Sequence, residues 1–396
     1  MIRGDFVNNK NQRVKRLINY VKGLKDGLDG VNLYAEYKED IESVKPQEAF
    51  EIFYSLTEEG IQPEEILVFL DKVINVFYKS LLNYKWEKPE NDNFLMDLIN
   101  ENEALVKKTD EIKILMKEPD LSMRKQKLLP LITELEEFNE HYLKKENILF
   151  PYMEKTMDKF HGLSIMWELH DAVRNKIKEA VSVIKDADSS EQEVNKAIAN
   201  LFFGILGVKK KEELILFPAA SEVLCADDWY RMHKQSLEYG FPFIGKSGSE
   251  ATNDEERQFF NNGVIKTETG ILNFEEVLMI FNTLPVDITF VDENNKVKYF
   301  TRPKDRIFPR SPAVIGRNVN NCHPPASVHI VEEIVESFRT GKEDTAKFWL
   351  NLKGKDVLIQ YFALRDEEGN YKGVLEVSQD ITEIKSLEGE RRLLKW

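Results

Sequence analysis

Cysteine, glycine and proline are scarce in this 396-residue sequence, and each scarcity excludes a class of protein. The two cysteines, Cys225 and Cys322, cannot form the dense disulfide framework of a small secreted fold, which fits a reducing compartment. With 19 glycines and 14 prolines, the chain is not a low-complexity sequence. No apolar run approaches the roughly 20 residues that span a bilayer, and residues 1–10 have no apolar signal core. We therefore expect a cytoplasmic protein without membrane segments.

A basic surface is also missing. The sequence has 69 acidic against 55 basic residues and a formal net charge of −14, so most of its surface would repel a nucleic acid backbone. Hydrophobic residues make up 42% and charged residues 31%, which is typical of a folded, helix-rich chain. Because hydrophobic cores stop growing beyond roughly 250 to 300 residues, we expect two or three domains and no nucleic acid partner.

The first 239 residues show the periodicity of helices. Apolar residues recur at spacings of three and four in residues 14–21 and again in residues 66–77, with glycine and proline between the short helices. The sequence then predicts four long amphipathic segments joined by short breaks, a pattern that favours an antiparallel bundle. These segments lie near residues 93–117, 121–158, 164–186 and 191–224.

The last third of the sequence has the alternation of strands. A polar stretch from Gly240 to Gly263 is typical of a linker. Beyond it, five runs rich in β-branched and aromatic residues alternate with turn residues, which predicts an α+β region. The strands are predicted at residues 286–291, 296–300, 346–352, 355–364 and 371–379, and a final helix at 381–396.

Two motifs carry a family resemblance in this C-terminal region. The stretches "LPVDITFVDENNKVKYF" and "FWLNLKGKDVLIQYFALRDEEGNYKGVLEVSQDIT" resemble a PAS domain, of the kind found at the C-terminus of proteins with a domain of unknown function 438. The resemblance implies a five-stranded antiparallel sheet that holds a small molecule or cofactor against its flanking helices.

Upstream, three further motifs resemble a hemerythrin-like (HHE) four-helix bundle. They are "ENILFPYMEK" with His141, "MWELHD" with His170, and "KEELILFP" with Glu213. The segment "LTEEGIQPEEI" resembles the N-terminal helical domain of unknown function 438. The predicted multidomain layout is this helical domain at residues 13–85, the bundle at 86–239, a linker at 240–267 and the PAS domain with its C-terminal helix at 268–396.

The hemerythrin resemblance implies a di-iron site, for which histidine is in short supply here. Lys88 and Lys209 stand where the family pattern has histidine, and an ammonium group has no lone pair for iron. A salt-bridged bundle without metal is the simpler interpretation. The alternative is a reduced, carboxylate-rich iron site, although the five-residue spacing within its pair His141 and Glu146 would need a local distortion of the helix. Its candidate ligands are Glu101, His141, Glu146, His170 and Glu213.

The PAS resemblance implies a second candidate site. Cys322 and His323 lie in "NCHPP", and His329 follows on the next predicted helix. Because heme-binding PAS domains carry their proximal histidine on this helix, His329 or His323 could ligate heme iron. A small molecule without metal, or a structural PAS dimer, remain the alternatives.

No catalytic motif accompanies these domains. The sequence has no Gly-rich phosphate loop and no Ser-His-Asp or Cys-His arrangement that spacing supports. We therefore expect no enzyme but a sensor or regulatory adaptor that reads a redox, gas or small-molecule cue and acts through a protein partner, as a homodimer. The alternative is an iron protein of the hemerythrin class that binds or reduces dioxygen or nitric oxide.

Overall fold

The computed structural model describes residues 2–88, 93–156, 158–245, 263–267 and 269–390. The chain divides into two compact units, Met1–Glu250 and Ala251–Trp396. The division falls inside the linker predicted from the sequence, while the individual domain boundaries at residues 85, 239 and 267 stay predictions.

The first unit begins with four helices whose starts follow local capping rules. Asp29 caps the second helix by accepting a hydrogen bond from the Val31 backbone N–H, and Pro46 and Pro63 occupy the first turns of the next two helices, where no N–H partner is needed. The helices are α1 (Ile2–Lys25), α2 (Gly30–Ile41), α3 (Pro46–Glu58) and α4 (Pro63–Asn83).

The remaining helices of this unit form the bundle. Two of the long segments predicted from the sequence are interrupted by short 3-10 and π turns, so that each contains more than one helix. The helices are α5 (Asn93–Leu115), α6 (Leu121–Glu134), α7 (Asn139–Lys144), α8 (Phe150–Thr156), α9 (Ser164–Lys185), α10 (Glu191–Lys211), α11 (Phe217–Val223) and α12 (Ala226–Ser236).

One hydrophobic core holds this unit together. Buried apolar side chains form a continuous cluster from Val14 to Tyr239, and ring contacts such as that between Phe50 and Phe160, 5.2 Å between centroids, join α3 to the bundle. The N-terminal helices and the bundle therefore share a core.

The second unit is α+β. A short hairpin, β1 (Val264–Thr267) and β2 (Gly270–Asn273), precedes α13 (Phe274–Thr283). The main elements are β3 (Asp287–Asp292), β4 (Val297–Phe300), α14 (Pro325–Arg339), β5 (Thr345–Leu352), β6 (Lys355–Arg365), β7 (Tyr371–Asp380) and the short α15 (Thr382–Lys385).

The five strands β3 to β7 form one antiparallel sheet in the order β4-β3-β7-β6-β5. In β3, buried and partly buried residues alternate, as expected for a strand with one face on a core. The buried face packs against α14 through Val335 and Phe338, with Val374 of β7 in the same cluster. The predicted fold class, helical bundle followed by an α+β domain with a five-stranded antiparallel sheet, is confirmed.

Two local predictions differ from the structure. The helix predicted at residues 381–396 ends at Lys385, and the chain to residue 390 is not helical; residues 391–396 lie outside the described part. Gly389 adopts φ 64, a conformation incompatible with a right-handed helix. The predicted linker ends in strand β1, which pairs with β2 from Val264↔Asn273 to Thr267↔Gly270.

Candidate functional sites

Two π turns shape the centre of the bundle. Lys145–Leu149 connects α7 to α8, and Glu212–Leu216 connects α10 to α11. A π turn widens the helix by one residue per turn, so it changes which side chains face inward. This is the distortion that the spacing of His141 and Glu146 requires, and both side chains are buried.

The structure brings together four of the five residues predicted as metal ligands. His141 Nδ1 lies 2.8 Å from Glu101 Oε2, and His170 Nδ1 lies 2.7 Å from Glu146 Oε1. All four side chains are at most 1% exposed. Aromatic rings hold the imidazoles in place, with Tyr142 stacked on His170 at 4.3 Å between centroids. Two pairs of histidine and glutamate therefore lie inside the bundle.

The fifth predicted residue, Glu213, lies outside this cluster. Its side chain is 34% exposed and forms an ion pair with Lys209, 2.6 Å from Nζ to Oε2. Glu212 takes the central place instead: its Oε2 lies 3.1 Å from His141 Nε2, and its Oε1 lies 3.9 Å from His170 Nε2. The π turn that begins at Glu212 changes the helix phase and turns this carboxylate inward.

The two lysines predicted to replace histidine are also outside the cluster. Lys88 is exposed and lies over the ring of Trp86 at 5.9 Å, and Lys209 pairs with Glu213. The cations at the centre are different residues, which sequence reasoning missed. Lys144 donates to Glu101, Lys145 donates to Glu212, and Arg174 Nη2 lies 2.9 and 3.0 Å from the two oxygens of Glu146.

Burial controls the protonation of this cluster. Desolvation, opposed by Lys144 and Arg174, raises the pKa of Glu101 and of Glu146 to about 7. Desolvation, with the lysine charges in addition, lowers the pKa of His141 and of His170 well below the usual range. Both imidazoles are therefore neutral at physiological pH.

A metal ion does not fit this arrangement. Each of the carboxyl groups of Glu101, Glu146 and Glu212 already has a basic side chain as its partner. A divalent ion would add two unbalanced positive charges in a buried place. Within the described residues, no three histidine, cysteine or acidic side chains are arranged to hold a metal. Of the ring nitrogens of His141 and His170, only Nε2 of His170 has no hydrogen bond among the described residues. One available nitrogen is too few ligands for a metal site.

The second candidate site is a small cavity between α14 and the sheet. Its volume is about 20 Å³, and apolar side chains such as Val291, Ile334 and Val374 line most of it. His323, Tyr361 and Glu376 provide its polar groups. Room for about one water molecule is all that it offers, so a heme does not fit this conformation.

The three residues predicted for the PAS site, Cys322, His323 and His329, differ in their position relative to the cavity. His323 lines the cavity, and its buried Nδ1 has no hydrogen-bond partner in the described part of the chain. Cys322, beside it, is half-buried, with Sγ 3.7 Å from the Asn318 carbonyl oxygen. His329 is exposed and does not line the cavity. Of the residues predicted for the PAS site, His323 lines this cavity, and their roles as ligand contacts stay predictions.

Positive charge surrounds the imidazole of His323. Burial, with smaller contributions from Arg310 and Arg317, lowers the pKa of His323 to about 4. Arg310 Nη2 in turn lies 3.5 Å from the Glu376 carboxylate, which also lines the cavity. Burial also raises the pKa of the Tyr361 hydroxyl, so that this group stays protonated. The cavity therefore presents a neutral ring nitrogen and a phenol to whatever enters.

These features define a protein with a helical bundle and a sheet domain that encloses a small cavity. Residues 97–220 match the family model described as the hemerythrin HHE cation binding domain, and residues 277–382 match a PAS domain. The chain therefore contains a hemerythrin HHE domain followed by a C-terminal PAS domain, and this combination supports a sensor or regulatory role.

Several solved structures resemble about a third or less of the chain. A C-terminal domain from Streptococcus mutans is 34% identical, over 32% of this chain and 98% of that chain, with a TM-score of 0.31. A PAS domain from Colwellia psychrerythraea is 18% identical, over 28% and 97%, with a TM-score of 0.23. A sensory box sensor histidine kinase from Vibrio cholerae is 12% identical, over 27% and 89%, with a TM-score of 0.22. None of the curated proteins matches the chain significantly. Among the described residues, no helix has the length and apolar character needed to cross a bilayer.

Proposed function

We propose that this protein is a cytoplasmic sensor or regulatory adaptor, without enzymatic activity, whose PAS cavity receives a small molecule and whose hemerythrin-like bundle is a scaffold free of metal. The observation that carries the proposal is the buried Nδ1 of His323, which has no partner in the described part and lies at the wall of the cavity. A buried polar atom without a hydrogen bond is costly, so a ligand or water that supplies one would bind favourably.

The size of the cavity limits the ligand. About 20 Å³ holds a molecule of very few atoms, and a larger ligand would require α14 to move away from the sheet. Such a movement would couple binding to the position of a helix, which is how a small ligand could change a protein surface. Of the two ligand classes expected from the sequence, heme and a small molecule without metal, the second agrees better with this cavity.

Two further features support a protein that acts through contacts. Neither Cys225 nor Cys322 forms a disulfide bond, which fits a reducing compartment. The surface of α13 has no buried residue and exposes Phe274, Met279, Ile280 and Phe281, an apolar face of the kind that marks protein interfaces. We propose a second copy of this chain as its partner, with a downstream protein reading the ligand-dependent state.

The ligand site is tested with small probes that both donate and accept hydrogen bonds. Formamide and acetamide are added to the full chain while side-chain histidine resonances are followed by NMR. In wild type and in His329→Phe, we expect the His323 resonances to shift and to saturate. In His323→Phe, the stabilisation of the protein against heat by the same probe should be lost. An absent shift at His323, or equal binding by His323→Phe, would contradict the proposal.

The alternative function, an iron protein that binds or reduces dioxygen or nitric oxide, is favoured by the hemerythrin match and by the buried pairs of histidine with glutamate. Metal analysis after expression in iron-rich medium distinguishes the iron protein from the metal-free sensor. Iron at about two atoms per chain, lost on chelation, would establish that alternative, because its oxygen chemistry uses a two-metal site.

A further inference from the structure

The two π turns of the bundle belong to an internal repeat. The first, in the sequence "KENIL", and the second, in "EELIL", are each followed by Phe-Pro at the start of the next helix. The first residues of the turns, Lys145 and Glu212, are thus equivalent positions, 67 residues apart in the sequence. In the structure these two equivalent side chains face each other, and Lys145 Nζ donates to Glu212 Oε1.

We infer that the ammonium group of Lys145 is the resident cation of this bundle, standing in for the metal that the domain family binds, and that the single change Lys145→Glu turns its position into half of a divalent metal site. The ion pair between equivalent positions would then become a pair of facing carboxylates.

The location of Lys145 supports this inference. Its side chain is fully buried, and its ammonium group lies 4.7 Å from the centre of the Tyr142 ring. Its partner Glu212 is also contacted by His141 Nε2 at 3.1 Å and by Asn102 Nδ2 at 2.9 Å. The charge of Lys145 acts on Glu101, Glu146, His141 and His170 alike. The charge of this one side chain therefore influences every predicted metal ligand except Glu213.

The charges around Lys145 also support the inference. In wild type each of three buried carboxyl groups is paired with one basic side chain. Replacing Lys145 with glutamate leaves four carboxylates and two cations, a deficit of two positive charges. One divalent ion supplies that charge.

The ligand set that results suits a transition metal. The new carboxylate and Glu212 would be joined by His170 Nε2, which has no hydrogen bond in the described part, and by His141 Nε2, which now contacts Glu212. Two imidazoles and two carboxylates form a mixed nitrogen and oxygen set of the kind that iron, zinc or manganese ions take.

The experiment compares three variants with wild type. Lys145→Glu adds the carboxylate, Lys145→Met removes the cation without adding a ligand, and Lys209→Glu makes the same charge reversal at an exposed pair outside the cluster. Each protein is dialysed against chelator, and its melting temperature and metal content are then measured with and without ferrous or zinc ion.

We expect wild type and Lys209→Glu to retain no stoichiometric metal and to melt at a temperature that added metal does not change. Lys145→Glu should melt lower than wild type without metal, and metal should raise its melting temperature and remain bound at about one ion per chain. Lys145→Met should be destabilised without rescue.

Two results would overturn the inference. The first is stoichiometric metal in wild type that chelation removes, because Lys145 would then not replace it. The second is a Lys145→Glu protein that folds yet gains neither metal nor stability. If Lys145→Glu recovers its fold only when metal is present, the inference is supported, and if metal rescues Lys145→Met equally, the added carboxylate is not the cause and the inference fails.

Discussion

Two adjacent glutamates, Glu212 and Glu213, differ in burial and in their partners. Glu212 is 1% exposed and contacts a lysine and a histidine, whereas Glu213 is 34% exposed and pairs with one lysine at the surface. The motif "KEELILFP", through its resemblance to a hemerythrin-like core, predicts Glu213 as the ligand. The side chain that a helix turns inward depends on the π turn, which spacing alone does not reveal.

This difference predicts the effects of two matched substitutions. Glu212→Gln leaves the buried Lys145 without its counter-charge and should lower the free energy of unfolding by about 3 kcal/mol. Glu213→Gln removes only a partly exposed ion pair and should cost less than about 1 kcal/mol. Urea unfolding of both variants measures the two values. Equal losses would mean that Glu212 is not the central carboxylate.

His323 provides a prediction on pH. Its pKa in the folded protein, about 4, lies below the usual 6.5, so the folded state prefers the neutral ring. The corresponding stability is fully present above pH 6.5 and is lost as the pH falls through 4. The difference between the two pKa values corresponds to about 3 kcal/mol in the free energy of unfolding.

The measurement is an NMR titration of the six histidines, with His323→Gln used to assign the resonance. We expect the His323 ring to titrate near pH 4. A midpoint for His323 near its ordinary value would show that the ring is open to water, and would also remove the support for a ligand at its Nδ1.

At the scale of elements, strand β7 depends on a glycine. Gly373 has φ 135, and a Cβ at this position would lie 2.1 Å from the Val291 carbonyl oxygen of β3. Because β7 pairs with β3 and β6 and carries Val374 and Glu376 into the cavity, a shift here affects the sheet and the site together.

Gly373→Ala should therefore destabilise the PAS domain by about 3 kcal/mol. Gly369→Ala is the control, because Gly369 also has a positive φ, 84, but no atom near the position of a Cβ. Backbone strain alone should make the control cost about 1 kcal/mol. Thermal unfolding followed by circular dichroism measures the stability of both variants. Similar losses of stability would mean that β3 moves to make room for the added methyl group.

The strands themselves were predictable from the sequence. Alternating residues and the turn before Lys296 predict β3 at residues 286–291, and the structure has it at Asp287–Asp292; β6 and β7 agree equally well. Strand patterns work here because a period of two is kept over whole elements. The bundle centre was predicted less completely, since its π turns break the helical period where the charged residues lie.

A signal for the missed residues was nevertheless present. Aligning the two Phe-Pro steps, at Phe150 and Phe217, places Lys145 opposite Glu212 and reveals a cation and an anion at equivalent positions. Arg174 had no such signal, because its contact with Glu146 depends on how α9 packs against the π turn. Contacts between elements of this kind depend on three-dimensional packing.

At the scale of the whole molecule, net charge and apolar surface oppose each other. The chain carries a formal net charge of −14, so two copies repel each other, and this repulsion weakens as salt screens it. The exposed residues of α13, with Ile271 of the hairpin at 61% exposure, provide the apolar area that would bring copies together. Burial of apolar area is not screened by salt.

A homodimer formed through α13 should therefore strengthen as salt is added. Light scattering coupled to size exclusion is expected to show the mass of two 46.2 kDa chains at high salt and a lower average mass at low salt and low protein concentration. Ile280→Glu introduces a charge into the apolar face and should shift the protein toward the monomer at every salt concentration. Phe203→Glu, which alters a more exposed apolar residue on α10, 67% against 45% for Ile280, should not. A dimer that resists Ile280→Glu, or that dissociates as salt rises, would place the interface elsewhere, because only contacts between opposite charges weaken with added salt.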